Sequence, residues 1–206
     1  MMDLIAAERR ALADALGRLT PEQWLGKTMC AGWTPGHVLA HLTMPFRISE
    51  QDFMQGLQQC GGDFTVFSDN VANRDSQLPQ AELVAVLRDN ADNPWSPPGG
   101  GLAGALSHDV IHGLDITWPL SVGYPIPDRA MTTVLDSIIS PGARTLFGIS
   151  LDGIRLSATD LDWAAGNGAR LAGRGRDLVL LLAGRELSPE LFEGDGAALA
   201  GAVAPR

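Results

Sequence analysis

Apolar residues recur at helical spacing through most of the first 122 positions. Leu4, Ile5, Leu12, Ala15, Leu16 and Leu19 share one stripe of a first helix, which Asp3 would cap and Gly17 with Thr20-Pro21 would end. Thr20-Pro21-Glu22-Gln23 has the form of a capping box with proline at the first helical position, and opens a short helix through Trp24. Trp33-Thr34-Pro35 repeats the device and opens a second long helix, read as Pro35 to about Cys60. Within it, Pro45 withholds the amide that would bond to the His41 carbonyl, so a kink is expected there. Residues 61–79 are polar and broken by glycine and proline, and read as a loop or a short helix. A third helix runs from Gln80 to about Ala91, with Leu83, Val84, Val86 and Leu87 apolar. The stretch from Asn93 to Gly101 is a strong breaker, and a fourth helix spans about Leu102 to Trp118 before Pro119.

After Tyr124-Pro125-Ile126-Pro127 the pattern changes. Asp128 to Ile139 is helical in period. Thr145–Ile149 and Ile154–Thr159 read as strands around Asp152-Gly153, a hairpin signal, and Ala169–Gly173 adds a third strand. Arg176 to Gly184 fits a buried helix, and the last dozen residues, rich in Ala and Gly, are expected to be loose. The fold class is therefore mainly α: a four-helix bundle over residues 1–122, then a small α+β C-terminal lobe over 123–206.

Composition narrows the partners. The chain has 206 residues and a net charge of −9, with a pI near 4.7. Nucleic acid and anionic membrane are unfavourable partners for such a chain, because phosphate binding needs concentrated Lys and Arg. No apolar run approaches a membrane span, and the N-terminus lacks a basic-then-apolar signal pattern. Two cysteines, Cys30 and Cys60, do not make a disulfide framework, and a cytoplasmic, reducing setting is expected.

The chemistry lies in the four histidines, which form two pairs at i, i+4: His37/His41 and His108/His112. Residues at that spacing share one helix face, so two imidazoles can grip one metal ion. His108 and His112 lie beside Val110, Ile111 and Leu114, and burying imidazoles there without partners would cost about 1–3 kcal/mol each. A shared metal removes that cost. His108-Asp109-Val110-Ile111-His112 resembles a zinc-protease motif with Asp in place of Glu, but Asp is one methylene shorter and reaches a metal-held water poorly. His41 lies among Leu39, Ala40 and Leu42 and is the preferred third ligand. His37 falls at N3 of its helix, where a polar first-turn role is preferred, although a four-histidine site is an open alternative. Asp115, one turn after His112, either orients an imidazole through its free N–H or belongs to a solvated face. Zinc suits an open site of nitrogen ligands, with nickel or iron as alternatives. Cys30 reads as a small hydrophobe beside Trp33, or as a thiol activated at a helix N-terminus.

The segment from Cys30 to Leu42, CAGWTPGHVLAHL, is similar to a signature of mycothiol-dependent maleylpyruvate isomerase-like enzymes in the DinB-like superfamily. His112-Gly113-Leu114-Asp115 resembles that family's H-x-x-D element, and Ala158–Trp163, Gly166–Gly168 and Leu180–Arg185 match its tail. The resemblance implies a DinB-like four-helix bundle holding a divalent metal through His41, His108 and His112. The isomerase proper carries Glu at the position of His108; three histidines resemble the DinB and thiol S-transferase branches. It further implies a low-molecular-weight thiol of the mycothiol type as cosubstrate, and a small electrophile that undergoes S-transfer or cis-trans isomerisation. Asn70, Asn73 and Arg74, with Arg185 and Arg144 in the tail, are the polar candidates for holding the thiol or a carboxylate substrate. The alternative is a non-catalytic metal-binding or stress-related DinB-like protein; a metal-dependent hydrolase ranks behind both. A homodimer is compatible with the sequence.

Overall fold

The capping box spelled by residues 20–23 is formed. Thr20 Oγ1 accepts from the Gln23 amide at 3.3 Å, and Gln23 Oε1 accepts from the Thr20 amide at 2.9 Å. The computed structural model describes residues 1–203, with the side chains of Leu146, Leu199 and Ala202 outside that description. The described residues form ten α-helices: α1 Met2–Leu16, α2 Pro21–Trp24, α3 Pro35–Arg47, α4 Glu50–Gln59, α5 Phe64–Asp75, α6 Gln80–Asp89, α7 Gly101–Thr117, α8 Asp128–Ile138, α9 Pro141–Phe147 and α10 Gly175–Leu182. Three short strands, β1 Ile154–Ala158, β2 Ala164–Gly166 and β3 Ala169–Gly173, form one sheet in the order β2-β1-β3. The mainly helical class with a small C-terminal α+β portion is as the sequence predicts. No helix is long and apolar enough to cross a membrane among the described residues.

The chain divides into two compact units, Met1–Pro98 with Asp115–Pro125, and Gly99–Leu114 with the residues from Ile126 onward. In the first, α3 packs against α5 and α6, and α6 packs against α1. Leu12, Leu16, Leu39, Leu42, Leu83, Leu87 and Ile116 form its fully buried centre. Each such side chain stabilises the fold by about 1.5–3 kcal/mol on burial. In the second, α8 packs against α10, and β1 pairs with both other strands. Val134, Leu135, Leu156, Leu171 and Leu178 are its buried apolar residues.

Several elements depart from the sequence reading. The expected single helix from Pro35 to Cys60 is two helices. Pro45 stays within α3, and the break comes at Ile48, which is extended (φ −108°, ψ 130°). Ser49 then restarts the helix by accepting from the Asp52 amide at 3.1 Å. A side-chain oxygen at N-cap that satisfies a first-turn amide decides the boundary more strongly than a proline tolerated upstream. The polar stretch 61–79 holds α5, capped by Asp63, whose Oδ1 accepts from the Val66 amide at 3.1 Å. Asp3 is a first-turn residue of α1 and Met1 is its N-cap.

Thr145–Ile149 is not a strand; its first residues lie in α9, which ends at Gly148 in the left-handed region. The hairpin expected at Asp152-Gly153 is absent as well. Instead β1 pairs antiparallel with β2 and parallel with β3, with Arg155 opposite both Gly166 and Arg170. Gly168 makes this turn-back possible. Its φ is 113°, and a Cβ there would lie 2.2 Å from the Gly153 carbonyl oxygen. The tail expected to be loose is ordered as far as Val203, which is fully buried and accepts from the Ser150 amide at 3.0 Å. The remaining three residues lie outside the described ones.

Candidate metal centre

α3 carries His41 on its buried face, with 7% of its surface exposed. Pro45 withholds an amide from the His41 carbonyl, and two polar side chains of the same helix bond to carbonyls just before it. Thr43 Oγ1 donates to the Leu39 carbonyl at 2.7 Å, and Arg47 Nη2 donates to the Ala40 carbonyl at 2.7 Å. Arg47 Nη1 also pairs with Asp75 of α5. Burial opposes ionisation of Asp75, but hydrogen bonds from Arg74 and Arg47 outweigh it and leave its pKa below the ordinary 3.8. This pair pins α5 against α3, and α5 in turn presents Ser68, whose hydroxyl lies 2.9 Å from His41 Nδ1. The ring of Trp33 stands 5.4 Å from that of His41, and Trp33 Nε1 donates to Asp69 at 3.0 Å.

α7 carries the second pair. The His108 and His112 rings are 5.0 Å apart in an edge-on arrangement, as one turn of helix dictates. His108 Nδ1 lies 3.2 Å from Oδ1 of its buried neighbour Asp109. One turn further on, Asp115 is fully buried. Its Oδ2 accepts from the Cys30 thiol at 3.1 Å and its backbone carbonyl accepts from the Met29 amide at 2.9 Å.

Two groups of ligand atoms converge among the described residues. His41, His108 and His112 each present one nitrogen, and the three lie within 4.8 Å of one another; Cys30, His112 and Asp115 meet the same limit. Nitrogens bound at 2.0–2.1 Å to a tetrahedral ion stand about 3.3 Å apart, which lies inside the 4.8 Å limit that the histidine set meets. The donor set fits a divalent metal. It consists of three imidazoles, one of them with its Nδ1 2.9 Å from the Ser68 hydroxyl, the kind of partner that orients a ligand histidine.

The remaining predicted residues sit elsewhere. His37 stays at the start of α3, where its Nδ1 accepts from the Thr34 amide at 3.3 Å and lies 2.8 Å from the Thr34 hydroxyl. Asn70, Asn73 and Arg74 are exposed on α5. Asn70 Nδ2 points to Cys60 Sγ at 3.6 Å, Asn73 donates to the Asp69 carbonyl at 2.8 Å, and Arg74 holds Asp75 through two nitrogens at 2.6 and 3.0 Å. Arg185 follows α10 and donates to the Ala183 carbonyl at 3.0 Å. Arg144 lines a cavity of about 360 Å³ with Leu151, Asp152 and Asn167. None of these six residues belongs to either converging group.

One residue beside the histidines, Ser68, and one contact, that of Cys30 with Asp115, escape the sequence reading. Ser68 lies in a stretch read as polar connector, yet Phe67, Ser68, Val71, Ala72 and Asp75 recur at helical spacing and are all buried. That periodicity was the available signal. Cys30 is half-buried against the first unit's core, as a small hydrophobe would be, but its thiol also engages a buried carboxylate. Nothing in the linear sequence marks that pairing across 85 positions.

Residues 5–93 match the family described as the mycothiol maleylpyruvate isomerase N-terminal domain. No curated protein matches the chain significantly. A crystal structure of a histidine-to-alanine mutant of the mycothiol-dependent maleylpyruvate isomerase superposes with a TM-score of 0.61 at 15% identity, covering 95% of this chain and 92% of that one. The likeness in fold extends over both halves of the chain.

Proposed function

We propose, from the match of residues 5–93 to the mycothiol maleylpyruvate isomerase N-terminal domain family, that the chain is a metal-dependent enzyme that uses a low-molecular-weight thiol of the mycothiol type to act on a small electrophile. The observation that carries this reading is the convergence of His41, His108 and His112. Three protein ligands leave one position open on a tetrahedral ion, which is the arrangement of catalytic rather than structural zinc sites. When bound there, a divalent cation supplies the positive charge that favours the thiolate form of a thiol at the open position.

The chain's own residues do the rest. His41 is held by Ser68, so its ring cannot rotate away from the centre without losing a buried hydrogen bond. His108 and His112 are fixed to each other by helix geometry. The three ligands carry no charge of their own, so the site retains the full charge of the ion, and this favours an anionic sulfur over a neutral ligand. In an isomerisation the thiolate would add to an activated double bond, whose π pair moves onto the activating group, and would be expelled as the double bond re-forms after rotation; in an S-transfer it would form a C–S bond as the leaving group departs with the bonding pair. Isomerisation is the activity to which the family points.

The test is direct. Purified protein is analysed for bound metal and then incubated with mycothiol and, separately, with maleylpyruvate and a bimane electrophile. Turnover of either substrate that is lost on chelation and restored by zinc is the expected result. Metal-independent turnover, or no turnover with either substrate, would overturn the proposal.

A further inference from the structure

His112 belongs to both converging groups, whereas every other member belongs to one. An imidazole has two nitrogens on opposite edges of its ring, and each can serve a different partner. From this we infer that Cys30 is a positioning residue: its thiol fixes the Asp115 carboxylate so that Asp115 takes the N–H of His112 on the edge away from His41 and His108. The inference rests on the proposed metal centre and extends it to a residue that neither touches the ion nor meets the substrate.

The structural argument begins with the turn that delivers the thiol. Thr28 Oγ1 accepts from the Cys30 amide at 3.2 Å and donates to the Trp33 carbonyl at 2.8 Å. The Trp33 amide closes back on the Cys30 carbonyl at 3.0 Å, and Gly32 takes a φ of 79° inside the turn. Residues 28–33 are therefore a locked loop. It grips Asp115 twice, from the Met29 amide to the backbone carbonyl and from Cys30 Sγ to Oδ2. A fully buried carboxylate needs donors on its oxygens. The thiol engages Oδ2, and His112, three residues back along α7, presents a ring nitrogen within 4.8 Å of a carboxylate oxygen of Asp115. A thiol suits this place because it donates without bringing a charge that would compete with the ion for the carboxylate.

A carboxylate that accepts from a ligand histidine selects the tautomer with the lone pair on the other nitrogen, which is the one a metal needs. Cys30 would then act on the centre only through Asp115. Two measurements test this. The first is zinc affinity by chelator competition for the wild type, Cys30→Ala, Cys30→Ser and His108→Ala. Cys30→Ala should weaken zinc binding about tenfold, and Cys30→Ser, which keeps a donor, should recover most of the loss. The second needs no metal: nitrogen-15 spectra of the His112 ring in the apo protein. One tautomer should dominate in the wild type and in Cys30→Ser, with a mixture in Cys30→Ala and in Asp115→Asn.

An unchanged tautomer in Cys30→Ala would overturn the inference. So would equal loss in the serine and alanine variants, which would assign Cys30 to packing alone. If His108→Ala binds zinc as the wild type does, the metal centre itself fails, and the tautomer spectra still decide the role of Cys30. If His108→Ala loses zinc while Cys30→Ala keeps wild-type affinity and tautomer, only the role of Cys30 fails.

Discussion

The Ser68 hydroxyl lies 2.9 Å from His41 Nδ1, and both residues are buried. A serine hydroxyl that accepts the Nδ1 proton fixes the ring's tautomer and its orientation together. Removing it leaves His41 with a buried ring nitrogen lacking this partner and with two tautomers open to it. Ser68→Ala is therefore expected to bind zinc about tenfold more weakly while keeping the helical circular dichroism of the wild type. Equal affinity in a chelator competition would separate Ser68 from the metal centre.

The two histidines of α3 should behave oppositely, although they share one helix face. His41 faces His108 and His112, whereas His37 is spent on the Thr34 amide at the helix start. Elemental analysis of His41→Ala or His108→Ala should show most of the metal gone with the fold retained. His37→Ala should keep its metal and lose about 1 kcal/mol of stability, the usual cost of a lost cap. Full metal occupancy in His108→Ala would rule out the ligand set.

These contrasts show what the sequence can and cannot carry. The i, i+4 spacing places His108 and His112 on one face whatever surrounds them, because helix geometry is local. Thr34-Pro35 likewise sets where α3 begins, which puts His37 in its first turn and His41 one turn deeper. Ser68 was missed for a different reason. Its helix is half polar on its buried face, because Ser68 and Asp75 serve partners on α3 rather than packing as hydrocarbon. A hydrophobicity pattern discounts such positions. The strand expected at Thr145–Ile149 failed because a short apolar run carries no period, and tertiary context settled it as helix. The Cys30–Asp115 contact depends on folding the chain back over 85 residues, which no local rule supplies.

The Arg47–Asp75 pair makes a pH prediction. Both side chains are largely buried, at 13% and 8% exposure, while Arg74 is 65% exposed and contributes little. The folded pKa of Asp75 is lowered, so the unfolded chain takes up its proton first as acid is added. The stabilisation is fully present above about the ordinary value of 3.8 and is lost as pH falls through the lower folded value. Asp75→Ala should cost about 3 kcal/mol at neutral pH, because it leaves the Arg47 charge buried without its partner. The gap between wild type and variant in urea unfolding should narrow progressively below pH 3.8. A gap that is constant across that range would show that the pair is not ionic in the folded state.

α4 has no fully buried residue, and its seat on α5 depends on one glycine. A Cβ at Gly56 would lie 2.4 Å from Cε2 of Phe67. Phe67 cannot easily yield: it is 5% exposed, and the Phe53 ring stands edge-on to it at 5.1 Å. Gly56→Ala gains helix propensity of about 1 kcal/mol, but overpacking costs about 1–3 kcal/mol, so the sign is set by the clash. The expected result is faster amide exchange in residues 50–59, with protection in α1 and α6 unchanged. Trimming the ring should relieve it: Gly56→Ala combined with Phe67→Leu should be less destabilised than the two single changes added together. Strict additivity in that cycle, or slower exchange in Gly56→Ala, would mean that α4 is seated by contacts other than the Phe67 ring.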